Sequence, residues 1–321
     1  MTSTPVPAAS PLASVRSSRR SAPERILLIG VEGVGKSTFG ASAPAPIFVA
    51  AEDGIRHLDV PCFPEPRSFA DVIAACRSLA TERHAYQTLV LDTIDWIEPL
   101  IIADLCRERK WMSGSTPDIE APGYGKGWVA ATEEWRKLLF ALDAVRARGL
   151  EIILLAHAAI KPFANPAGTD YNRYECKLAK GAAALVKEWS DAILFATYEE
   201  FVRRDAPRKG LSTGRRIIRT TRTAAYDAKN RTGLPDELPL DYSAYAAARS
   251  AGMGASLAAL QAEADALLVT LASSPMPNGA LAKATDYVAQ NRDNPERLAA
   301  AVNRLRTLIA QSTPTTETTH A

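Results

Sequence analysis

Gly30-Val31-Glu32-Gly33-Val34-Gly35-Lys36-Ser37 fits the pattern G-x-x-x-x-G-K-[ST] of a phosphate-binding loop. A short apolar run, Arg25-Ile26-Leu27-Leu28-Ile29, precedes it, and a helix start is expected at Lys36. Strand, glycine-rich turn and helix, in that order, are the context the motif needs. Each residue type has a physical task. Glycines let the backbone wrap closely, so that amide N–H groups point at phosphate oxygens. The helix adds its positive end. Lys36 supplies a point charge to the β- and γ-phosphates, and the Ser37 hydroxyl ligates Mg²⁺. Gly30, Val31, Glu32, Gly33, Val34, Gly35, Lys36, Ser37 and Thr38 are therefore expected to hold a nucleotide, ATP with Mg²⁺.

Outward from the loop, short Ile/Leu/Val-rich runs at 25–29, 47–51, 88–91, 152–156 and 192–196 read as strands. They show little polar alternation, as strands buried on both faces of a parallel sheet do. Helical patterns lie between them. Ser68 is placed to cap a helix to about Arg83, with Asp71 in its first turn. Trp128, Ala131, Trp135, Leu138, Leu142 and Val145 recur at helical steps, and Gly149 follows as a stop. The alternation predicts an α/β domain with a mainly parallel, doubly wound sheet over 24–240. Residues 203–231 read as β-hairpins at the sheet edge. Beyond residue 240 alanine dominates, and helices are expected over 244–272, 280–291 and 295–311, the last capped by Asn294. Residues 1–23 read as a disordered tail. Arg16, Arg19 and Arg20, with almost no acid nearby, would also suit an organellar transit peptide. Residues 312–321 read as a flexible tail.

Composition narrows the function classes. The chain has 321 residues, 47% hydrophobic and 23% charged, with a net charge of +2. That is ordinary globular composition, with no global field to announce a nucleic-acid partner. Cys62, Cys76, Cys106 and Cys176 show no CxxC spacing. This argues against a disulfide scaffold or a zinc site and fits a reducing cytoplasm. No apolar run is expected to approach the ~18 residues of a bilayer span, so no membrane partner is expected.

Two acids stand at strand ends. Thr88-Leu89-Val90-Leu91-Asp92 places Asp92 at the carboxyl edge of the sheet, where it should hold a Mg²⁺ water. Asp95 competes for that task, but its position suits a cap on a helix over 96–109. Phe48-Val49-Ala50-Ala51-Glu52 puts Glu52 where it could polarise the water that attacks the γ-phosphate. A capping or turn acid is the plainer alternative. The absence of an N-K-x-D string weakens a GTPase reading.

On the loop, Glu52, Asp92, the 152–157 strand and Lys229-Asn230-Arg231, residues 24–240 resemble the RecA-like ATPases. The resemblance is greatest to the small phage-borne nucleotide-binding proteins of single-strand annealing and recombination. It implies Glu52 as catalytic base and His157 as γ-phosphate sensor, where relatives often carry Gln. A histidine satisfied by backbone at a strand end is the alternative for His157. The resemblance also implies that Lys229 and Arg231 reach a neighbouring subunit's γ-phosphate, hence a homo-oligomer, ring or filament. The alternative there is a solvated basic edge, since residues 203–231 hold ten Lys/Arg and two Asp. It implies two single-stranded DNA-binding stretches, 110–128 and 158–180. The expected contacts in the second are Lys161, Phe163, Tyr171, Arg173, Tyr174 and Lys177, because aromatics stack on bases and cations track phosphates. Trp111 and Trp128 in the first are as readily core as contact.

Three functions stay open: a DNA-stimulated ATPase, a nucleotide-dependent loader of a replication or single-strand-binding protein, and a small-molecule kinase with cis arginines in 203–222. Host cytoplasm is the implied setting.

Overall fold

The computed structural model describes residues 22–166, 168–202, 210–273 and 280–312. The expected terminal tails lie almost wholly outside the described residues, as does 203–209 of the basic segment.

The chain begins with β1 (Arg25–Gly30), α1 (Lys36–Ala41), β2 (Pro46–Ala50), α2 (Phe69–Thr81), β3 (Thr88–Asp92) and α3 (Ile94–Arg109). A small pair, β4 (Met112–Ser113) and β5 (Thr116–Pro117), leads into α4 (Lys126–Ala147), β6 (Glu151–Phe163), β7 (Tyr171–Cys176), α5 (Lys180–Trp189), β8 (Ala192–Val202), β9 (Gly210–Arg219) and β10 (Glu237–Pro239). Three helices follow: α6 (Tyr242–Ala272), α7 (Ala280–Gln290) and α8 (Pro295–Ser312). The sheet order is β10-β9-β8-β1-β6-β3-β2. The five strands from β8 to β2 are parallel, and β9, antiparallel to β8, and β10, antiparallel to β9, extend one edge.

Burial on both faces explains the unbroken apolar runs. Leu27 and Ile29 face one core with residues of α2, α3, α4 and α5. Ile26 and Leu28 face the other, with Phe39 of α1 and Tyr242 and Tyr245 of α6. Local signals act as expected at α2: Ser68 Oγ accepts from Asp71 N–H at 3.2 Å, and Asp71 accepts from Ser68 N–H at 3.0 Å, a closed capping box. The amino edge of the sheet is tied to α6 by charge. Arg249 bonds Glu24 and Glu151, each at 2.6 Å, and the Tyr245 hydroxyl also donates to Glu24.

Two expectations change here. The strand expected over 152–156 is longer than its apolar run. β6 runs on past the sheet and pairs antiparallel with β7, from Ala158↔Cys176 to Phe163↔Tyr171. And α6 does contain an 18-residue window of mean hydropathy 1.3, long and apolar enough by composition to cross a membrane. Much of that apolarity is alanine, and Tyr242, Tyr245, Ala264 and Leu271 on this helix are buried in protein cores.

The chain divides into two units within α6, one spanning Ala22–Ser250 and the other holding the residues from Ala251 onward. In the second, Ala264 and Leu271 pack with Val288, Leu298, Val302 and Leu305. Asn294 caps α8 as expected, accepting from Arg297 N–H at 3.0 Å. All four cysteines are free thiols; Cys76, Cys106 and Cys176 are buried and Cys62 is exposed.

Candidate active site

The loop between β1 and α1 is held open by steric need. A Cβ on Gly30 would lie 2.9 Å from both the Cβ and the carbonyl oxygen of Ala196, too close for any side chain. Gly35 sits at φ 104°, in the left-handed region that favours glycine. Val34 points into the core and anchors the loop from beneath. Glu32, Gly33 and Thr38 are exposed, while Lys36 is buried. Its ammonium donates to the carbonyl oxygens of Gly30 at 3.3 Å and Val31 at 3.1 Å. Burial lowers its pKa, against the attraction of Asp92 and Glu52.

Asp92 ends β3 with 1% exposure. Neither carboxylate oxygen has a protein hydrogen-bond partner. The Ser37 hydroxyl lies near enough to favour the ionised form without meeting hydrogen-bond geometry, yet burial dominates and raises the Asp92 pKa. A buried, unpartnered carboxylate costs stability unless a ligand completes it. Among the described residues no group of three or more His, Cys, Asp and Glu could cage a metal. That suits Mg²⁺, which is held by one or two protein oxygens and keeps waters and substrate phosphates. Ser37 and Asp92 therefore fit Mg²⁺. Bound there, it would neutralise charge on the β- and γ-phosphates.

This geometry yields a direct expectation. Asp92→Asn should stabilise the nucleotide-free protein by about 1–3 kcal/mol at neutral pH while removing metal-dependent nucleotide binding. A raised carboxyl pKa means that the fold disfavours the charge, so the gain should vanish in acid, below the ordinary carboxylate range. Thermal melts at both pH values check it.

Glu52 follows β2, half-buried, with no hydrogen bond or ion pair among the described residues. Burial, then Asp92 and Asp95, hold its carboxyl above the ordinary range, against the pull of His157 and Lys36. Asp95 does not cap α3; Thr93 occupies the cap position. Instead the Asp95 carboxylate accepts from the backbone N–H of His157 and from its Nδ1, both at 2.9 Å. Those bonds lower the Asp95 pKa, overriding burial. With Nδ1 turned to Asp95, Nε2 is the ring nitrogen that His157 has left to meet a phosphate oxygen. Lys36, Glu52, Asp92, Asp95 and His157 thus form one electrostatically linked cluster, past the ends of β1, β2 and β3 and where β6 leaves the parallel sheet. Sequence reasoning missed the Asp95–His157 pair, which depends on β6 lying beside β3.

A family model described as an AAA domain matches residues 22–232. The chain belongs to this AAA domain family. It is thus a P-loop ATPase by family. The family does not extend the assignment to the RecA-like recombination group. No curated protein matches the chain.

Other expected residues of this AAA-domain protein lie away from this cluster or are held by partners within the fold. Lys229 is not paired with Arg231 on an outward strand face. Its ammonium donates to the carbonyls of Lys187, Glu188 and Ser190 at the end of α5. Arg231 is exposed, 4.0 Å from Asp191. Both lie toward the amino edge of the sheet, where Lys229 bridges Ile193. The expected DNA contacts are mostly occupied within the fold. Lys161 caps the carbonyls of Cys176 and Leu178 at 3.1 and 2.8 Å. Arg173 is buried, paired with Asp227 and set over the Phe163 ring. Tyr174 packs on Phe195, and Phe163 on Tyr171 at 5.2 Å. Lys177 alone is exposed. The earlier stretch instead presents Tyr124, Lys126 and Trp128 to solvent. Trp128 also lines a cleft of about 660 Å³ with Thr132, Lys180 and Gly181.

Proposed function

We propose that this AAA-domain protein is an oligomeric, Mg²⁺-dependent ATPase that acts on single-stranded DNA in recombination or strand annealing. The observation that carries the ATPase half is the unpartnered Asp92 carboxylate, buried beside Ser37 and Lys36. Glu52 is the group that takes a proton from the attacking water. Asp95 holds His157 with Nε2 directed at the reacting phosphate end. Support for DNA comes from Tyr124, Lys126, Trp128 and Lys180, exposed aromatics beside cations. Arg231, exposed and weakly paired, is the residue available to a neighbouring subunit. Lys229 is already committed to α5.

Hydrolysis should rise when single strands are added, and more than linearly with protein concentration. DNA binding should weaken steeply with salt. A linear rate indifferent to single strands would overturn the DNA and oligomer parts together. A loader reading is favoured by one feature of the second unit. A cavity of about 340 Å³ between α7 and α8, lined by Tyr287, Leu305, Leu308, Lys283 and Arg304, offers a docking groove. ATPase activity with no affinity for bare single strands would select it.

A further inference from the structure

The antiparallel edge of the sheet does more than end it. Tyr198 of β8 and Arg216 of β9 stand opposite each other across the ladder. Both belong to the sheet face that carries Leu194, Ala196 and Ile218, the face against which α1 packs. From there both reach the phosphate loop. The Tyr198 hydroxyl donates to the Gly33 carbonyl oxygen at 3.0 Å. Arg216 comes up against Gly35: a methyl group on that glycine would sit 3.0 Å from Nη1 and 3.8 Å from Cδ.

The neighbouring cations are neutralised, and this one is not. Arg215 pairs with Glu199 and Glu237, and Arg219 pairs with Glu237. Arg216 is exposed, and its guanidinium makes no ion pair or hydrogen bond among the described residues. A planar five-donor cation beside a loop of the phosphate-binding pattern suits a phosphate oxygen.

The sheet order says which phosphate. Asp92 ends β3, Glu52 follows β2 and His157 stands where β6 leaves the parallel sheet, all on one side of β1, while β8 and β9 lie on the other. The carboxylates and His157 mark the reacting end of a polyphosphate. A chain of phosphates laid across the loop therefore turns its other end toward Arg216. We infer that Arg216 holds the α-phosphate end of a bound nucleoside di- or triphosphate, in the same subunit as the loop. This inference rests on the ATPase reading above.

The test is equilibrium binding of fluorescent ADP and ATP to the full chain, as parent, Arg216→Ala and Arg216→Lys. The α-phosphate is common to both nucleotides, so Arg216→Ala should weaken both by the same factor, about 10- to 100-fold. Arg216→Lys should recover part of the loss. Nucleotide-free melting checks the fold. If the Ala variant unfolds, the Lys variant, which keeps most of the stem, decides by the same equal weakening at smaller size. Unchanged affinity, or a loss confined to ATP, would overturn the inference while leaving the ATPase reading intact. A parent chain that binds neither nucleotide would overturn both.

Discussion

A Lys36→Ala chain is expected to lose tight triphosphate binding, by about 10²- to 10³-fold, the size of losing one well-placed charge donor. Lys36 is the cation at the centre of the cluster. Its ammonium is aimed along the inside of the loop by the carbonyls of Gly30 and Val31. It is the lysine that acts on both Asp92 and Glu52, while Arg216 comes up against Gly35. Titration with a fluorescent ATP analogue measures the loss. Melting curves supply a second readout: Mg·ATP should raise the midpoint of the parent and leave the variant where it was. Equal affinity in the two chains would remove the basis for calling this loop a nucleotide site.

Glu52→Gln should separate binding from chemistry. The isosteric amide keeps the shape at the end of β2 but cannot take a proton. Turnover should fall about 10²- to 10⁴-fold, with the affinity for Mg·ATP within a few-fold of the parent. The pH profile carries a further sign. Burial and the charges of Asp92 and Asp95 hold the Glu52 carboxyl above the ordinary value of 4.5. The parent should therefore lose hydrolysis as pH falls through that raised value, earlier than an ordinary carboxylate would dictate. The residual rate of the variant should lack this limb. Turnover by the variant at the rate of the parent would take the base role away from Glu52.

The α/β fold and the loop were legible because their signals are local. Five runs of Ile, Leu and Val, each of strand length and apolar on both faces, predict a covered parallel sheet, and Ser68 with Asp71 marks a helix start within four residues. The helices beyond residue 240 were legible for the same reason. What stayed hidden depends on partners far away in sequence. Asp95 looked like a helix cap because Asp92 and α3 are its nearest neighbours in the chain; its partner His157 lies on β6, which the sheet order brings beside β3. Lys161, Arg173 and Lys229 looked like cations available to DNA or a neighbour. Whether a cation faces solvent or a row of carbonyls is decided only when the hairpin of β6 and β7 and the end of α5 are in place. Within the basic segment the resemblance pointed to Lys229 and Arg231; among the described residues, proximity to Gly35 singles out Arg216.

The uneven exposure of the thiols has a practical side. Cys62, bridged to Phe48 of β2, is the one cysteine within reach of a reagent. Cys76 is sealed in the core with its pKa pushed up to about 12 by burial. A maleimide dye should then attach once per molecule, beside the nucleotide site, with no engineered handle. Partial burial and the Asp92 charge hold the Cys62 thiol above its usual range, so the coupling should run slowly at neutrality and speed up in mild base.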